Sequence, residues 1–244
     1  MIPDWLHTLA VTAILAGFFC ALIIVLHLLR RPQNMWIMNV VWPITALYSG
    51  PLALWFYFKF GRFSSHHTLK QPTKNNGTPP SKKLTNFPIM VGKGATHCGA
   101  GCTIGDIVAE WLAFGVPAIA VCFGWHTLFS EKMFAVWILD FILAFGIGVV
   151  FQYFTIAPMR GLGFWSGIIA ALKADTFSLI AWQVGMYGFM AAAQILCFRP
   201  HFGSPIEVNT TEFWFTMQIA MICGFITAYP VNWWLIRAGL KEKM

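Results

Sequence analysis

The chain has 244 residues, of which 58% are hydrophobic, 16% aromatic and only 10% charged, with a formal net charge of +7. At a mean hydropathy of +0.66 it is too apolar for a soluble domain of this size, which leaves a membrane protein as the class. No nucleic-acid-binding motif competes for the positive charge, so nucleic acid is excluded as a partner and the lipid bilayer takes its place.

Six apolar segments reach spanning length, each needing about 20 residues for a hydrocarbon core about 30 Å thick: residues 6–29, 35–57, 105–127, 133–154, 177–198 and 213–235. The expected fold is an all-α integral membrane bundle of about six transmembrane helices. The first segment follows Asp4 rather than a basic region and exceeds the length of a signal-peptide core, so it reads as a retained helix. Ala13, Gly17 and Ala21 along it, like Gly185 and Gly188 later, are small residues that let helices approach closely. His27 near its end reads as an interface residue.

Residues 61–96 are the one long polar stretch. They contain His66 and His67, read as solvated, and a Pro-, Asn-, Thr- and Gly-containing run at 71–80 flanked by lysines. Such a composition buries too little apolar surface to offset its ordering entropy, so a mobile cytoplasmic linker is expected. It divides a two-helix unit, 1–60, from a four-helix membrane domain, 97–244.

That domain opens on a polar string holding His97, Cys98, Cys102, Asp106 and Glu110. If the string is helical, Cys98, Cys102, Asp106 and Glu110 recur every four residues on one face. Gly99, Gly101 and Gly105 suit instead a tight loop entering a helix, which would set the thiols at a helix N-terminus where thiolate is favoured. Both geometries converge the same side chains. One imidazole and two thiols suit Cu(I) or Zn(II), while Asp106 and Glu110 suit proton relay or completion of the coordination. The spacing is not the Cys-x-x-Cys of a zinc ribbon or redox dithiol, and a glycine-rich helix start with buried cysteines and interfacial carboxylates is the plain alternative.

Asp140 falls seven residues into the fourth segment, about 10 Å deep at 1.5 Å per residue. A carboxylate there costs roughly 2.5–3.5 kcal/mol on the insertion scale, so it should face the bundle interior in a pathway or relay role, or hydrogen-bond a neighbouring helix. Residues 163–173 have helical apolar spacing but are short and flanked by Arg160 and Lys173, which predicts an interfacial helix before the fifth span. Lys173 and Asp175 read as an interfacial ion pair, with Gln183 and Gln194 making interhelical amide bonds; Asp175 and Gln183 also stand on the candidate route. Met186 with Met190 and Met217 with Met221 are i, i+4 pairs at similar depth in the fifth and sixth segments. Antiparallel neighbours would bring these four thioethers together, and thioethers select Cu(I), although methionine is also a common gap filler. Trp233 and Trp234, followed by Arg237 and Lys241, read as an aromatic belt with basic anchors.

Lys and Arg number twelve on the side shared by both termini and four on the other, which puts the N- and C-termini in the cytoplasm. Cys20, Cys122, Cys197 and Cys223 lie in apolar segments and Cys98 and Cys102 face the reducing side, so free thiols are expected. No internal repeat supports an inverted-repeat transporter.

The string 94–110, Lys173-Ala174-Asp175-Thr176 running into Trp182-Gln183-Val184-Gly185-Met186-Tyr187-Gly188, Tyr229-Pro230-Val231-Asn232-Trp233-Trp234 and Met38-Asn39-Val40-Val41-Trp42-Pro43 resemble the bacterial membrane proteins of the domain-of-unknown-function 4396 family, over nearly the whole chain except the linker. The resemblance implies a multi-pass bacterial inner-membrane protein, some relatives of which are associated with copper-handling modules; it implies no activity.

The sequence therefore leads to a membrane protein that handles or transports a soft metal ion, Cu(I) ahead of Zn(II), through His97, Cys98, Cys102, Asp106 and Glu110, with Asp140 and the methionines continuing the route. A copper-handling protein is the partner this implies, and a homo-oligomer is compatible with it. No residue is assigned a catalytic role. The rival readings are a membrane thiol-dependent oxidoreductase, with Cys102 as nucleophile and His97 as its base, and a structural or assembly subunit of a membrane enzyme complex.

Overall fold

The computed structural model describes residues 2–65 and 85–242. Among these the chain is helical, with two isolated bridges and no strand. The helices are α1 (Asp4–Arg30), α2 (Met38–Ser49), α3 (Pro51–Phe56), α4 (Phe87–Gly115), α5 (Pro117–Cys122), α6 (Lys132–Arg160), α7 (Phe164–Ala192), α8 (Arg199–Phe202) and α9 (Thr211–Arg237). A π-helical turn, Ala193–Phe198, joins α7 to α8 without interruption. Four helical stretches are long and apolar enough to cross a membrane: Asp4–Arg30, Lys132–Arg160, Phe164–Phe202 and Thr211–Arg237.

The other two apolar segments are broken by their own residues. Within 35–57, Gly50 takes φ +48 and is followed by Pro51, so α2 ends at Ser49 and a short α3 begins. Within 105–127, Val116 leaves the helical region, at φ −130 and ψ 80, ahead of Pro117, which closes α4 and starts α5. Proline disfavours the α conformation in the residue before it and supplies no N–H, so both breaks follow from covalent geometry.

Two expectations change here. Residues 87–96, assigned to the linker, are the first turns of α4, capped by the Asn86 side chain accepting from Ile89 N–H. Residues 163–173 are no separate interfacial helix: they are the first turns of α7, and helical bonding runs unbroken from Phe164. The 71–80 run, His66 and His67 lie outside the described residues.

α4 is the hub, packing against α2, α6, α7 and α9, while α7 lies along α9 and α6 against both α4 and α7. α1 covers α2 and α9. Every residue of 91–103 is buried, so this part of α4 meets protein on all sides. Its glycines make that enclosure sterically feasible. A Cβ at Gly101 would stand 3.0 Å from the Gly148 Cα, and one at Gly105 would stand 2.6 Å from the Ala144 backbone; the two i, i+4 small pairs let α4 and α6 touch backbone to backbone.

Candidate functional site

The polar string is wholly helical and mid-helix. Its thiols are three turns from the start of α4, so the helix-N-terminus geometry is ruled out along with the thiolate bias that it would give. Cys98, Cys102, Asp106 and Glu110 form a file at about 6 Å intervals, about 18 Å from first to last. A single ion therefore reaches only part of it, and among the described residues no three His, Cys, Asp or Glu side chains come together as a metal site.

His97 leaves the file. Its ring meets Phe151 edge-on, and its Nε2 is 2.9 Å from the Thr155 hydroxyl of α6. Five residues on a continuous helix are about 140° around the axis, so His97 and Cys102 diverge and do not form a nucleophile–base pair.

Cys98 and Cys102 are fully buried, and their thiols lie within reach of one another. They share one core cluster with Met186, Met190, Met217 and Met221, around Trp182 and Tyr48. Trp182 organises this sulfur-rich centre. A Cβ at Gly99 would be 2.2 Å from its ring, and one at Gly224 would be 2.8 Å from its Nε1, so the indole is held between α4 and α9 by two glycines. Its N–H points to the Met221 sulfur at 3.4 Å, and the Tyr48 ring meets it edge-on.

One turn further along α4, Asp106 faces Asp140 of α6. Tyr187 donates to Asp140 Oδ2 at 3.0 Å and stacks on Trp137 at 4.5 Å. Both Asp106 oxygens and Asp140 Oδ1 lack a donor among the described residues. Glu110, beside Asp140, lines a cavity of about 460 Å³ together with Lys132, Met190, Gln194 and Arg199. Asp106, Met217 and Met221 line a second cavity, of about 440 Å³.

At the other end of the file, Asp175 pairs with Lys241 rather than with Lys173. The Lys241 Nζ is 3.0 Å from Asp175 Oδ1, and both side chains are buried. Lys241 arrives there because Gly239, at φ +72, turns the chain back after α9, where Leu240 and Lys241 donate to the Leu235 carbonyl. Lys241 is thus no interfacial anchor. Asn232 donates to Ser178 at 2.7 Å beside the pair, while its own Oδ1 and Asp175 Oδ2 remain unpartnered.

The two glutamines part company. Gln194 makes a two-way bond with the Ile206 backbone and pins the 203–210 loop, whereas Gln183 is buried with both amide atoms unpartnered among the described residues. Tyr187, Trp182, Tyr48, Asn232 and Lys241 escaped the sequence reading as site residues. For Tyr187 and Trp182 the signal was their place one or a few residues from Met186 on α7; for Lys241, whose partner is 66 residues away, there was none.

The matched family model settles the kinship of this region. The chain belongs to the family described as Domain of unknown function (DUF4396), over residues 89–241. The DUF4396 region runs from the first turn of α4 to Lys241, so it holds the whole polar and sulfur-rich file. α1 and α2, including residues 38–43, lie outside the match, which is therefore narrower than the near-complete coverage expected. Comparison with curated proteins and with solved structures gave no match.

Proposed function

We propose that this protein handles a soft metal cation in the membrane, Cu(I) ahead of Zn(II), and passes it along the file on α4. The observation that carries the reading is that two thiols and four thioethers belong to the same core cluster of buried side chains. Sulfur ligands of this softness favour Cu(I) over hard ions, and thioethers bind it weakly enough for release, as conduction requires. In this reading Cys98 and Cys102 capture the ion, and Met186, Met190, Met217 and Met221 form its next station. Asp106, Asp140 and Glu110 move protons or balance the charge, and Asp175 with Gln183 extends the polar route. His97, turned to Thr155, is not a ligand in this revised set.

Six crossings are part of the proposal. The four apolar stretches are joined by α4, enclosed by its neighbours over residues 91–103 and so free to carry polar residues there, and by the broken α2–α3 segment. The Lys and Arg bias puts both termini in the cytoplasm of a bacterial inner membrane, where a copper-handling protein would deliver or receive the ion; a homo-oligomer is compatible with the exposed apolar faces.

X-ray absorption at the copper edge of anaerobically loaded protein tests the ligand set. We expect scattering from sulfur alone, with fewer sulfur neighbours in Met217→Leu, Met221→Leu protein. A nitrogen- or oxygen-dominated shell unchanged by those substitutions would overturn it. The oxidoreductase reading has lost its geometry, because the base proposed for Cys102 faces another helix.

A further inference from the structure

The cavity of about 440 Å³ beside Asp106 is walled by α1, α2, α4, α9 and residues 208–210, and most of the surface that it exposes is apolar. Four aromatic side chains, Phe18, Tyr48, Trp111 and Trp214, line it, and the Trp111 and Trp214 rings stack at 6.2 Å. Asp106 lies in this wall, fully buried, with both carboxyl oxygens lacking a donor. Among the described residues lining the cavity there is no Lys, Arg or His. Phe18, at 60% exposure, places one edge of the cavity at the outer surface of an apolar helix.

We propose that this cavity binds a lipophilic organic cation, an ammonium group carried on an apolar body. The charge complements Asp106, whose two buried carboxyl oxygens have no donor among the described residues. Aromatic faces attract a desolvated ammonium by its charge, with trimethylated nitrogen as a favoured guest. A neutral apolar molecule fits the walls and leaves the carboxylate unanswered. Entry from the lipid past Phe18 suits a guest that partitions into the bilayer. The cavity shares Asp106, Met217 and Met221 with the proposed metal route but includes neither cysteine.

Equilibrium dialysis of benzyltrimethylammonium and of its neutral isostere neopentylbenzene, against chelator-treated protein in detergent, tests this. Saturable binding of the cation is expected, with the neutral compound at least about tenfold weaker, the margin that 1.4 kcal/mol provides. Asp106→Asn should abolish the preference. Leu47→Trp, which fills the cavity and leaves Asp106 in place, should abolish cation binding in a protein whose carboxyl pair is intact. Equal binding of both compounds, or cation binding unchanged in Leu47→Trp, would overturn the proposal, as would a folded wild-type protein that binds neither. Because the metal has been stripped, none of these outcomes depends on whether copper is cargo.

Discussion

Lys241 and Asp175 meet in a place that neither could occupy alone, since each side chain is at most 1% exposed. Removing one partner of a buried pair strands the other charge, at a cost of about 3–5 kcal/mol, whereas replacing both with neutral groups is often tolerated. Lys241→Met should therefore lower the unfolding midpoint sharply in detergent, and Lys241→Met with Asp175→Asn should recover most of the loss. At the surface, the Arg199 guanidinium bonded to Glu131 holds that carboxyl below the usual carboxylate range. The pair's contribution is then present at neutral pH and lost as the pH falls through the folded-state value. Glu131→Gln protein should be slightly less stable than wild type at pH 7 and indistinguishable from it in acid, by thermal unfolding at both. The chemistry of these residues was legible and their partners were not: Asp175 had a basic neighbour at Lys173, two residues away, and hydropathy gave no sign that the tail after α9 turns inward at Gly239.

At the scale of elements, α4 is where reading the chain misled most, and its glycines are the reason. Gly99, Gly101 and Gly105 weaken an isolated helix, which made a loop a fair expectation. In the bundle each serves close packing, against Trp182, Gly148 and Ala144 respectively, and tertiary contact outweighs propensity. Gly105→Val should cost at least the roughly 1–3 kcal/mol typical of overpacking, because the obstructing atoms belong to the α6 backbone. Gly188→Ala, with nothing within 4 Å of the new methyl, should leave stability unchanged or raise it by up to about 1 kcal/mol. Thermal unfolding of the two variants side by side checks the contrast. The methionine pairs were the more readable signal: i, i+4 spacing on two antiparallel helices fixes a face and a depth, and α7 and α9 do lie together.

For the whole molecule, hydropathy located the four stretches that are long and apolar enough to cross a membrane. It placed α4 poorly for a physical reason: the part of a helix enclosed by protein, here residues 91–103, need not be apolar, and the Gly, Thr and ionisable residues of 91–110 dilute its score. The arrangement predicts opposite exposure for the turn after α6 and the loop before α9. With Cys122 and Cys197 replaced, Ser204→Cys should react with a membrane-impermeant maleimide on intact cells, and Leu162→Cys only after permeabilisation. The reverse pattern would invert the proposed orientation. The central claim concerns the sulfur-rich centre, and the metal content of protein purified without oxygen, beside a Cys98→Ser, Cys102→Ser variant, tests it most directly. The account predicts copper near one per chain, lost in the variant; protein that stays metal-free after incubation with Cu(I), or that keeps its copper without the two thiols, would contradict it.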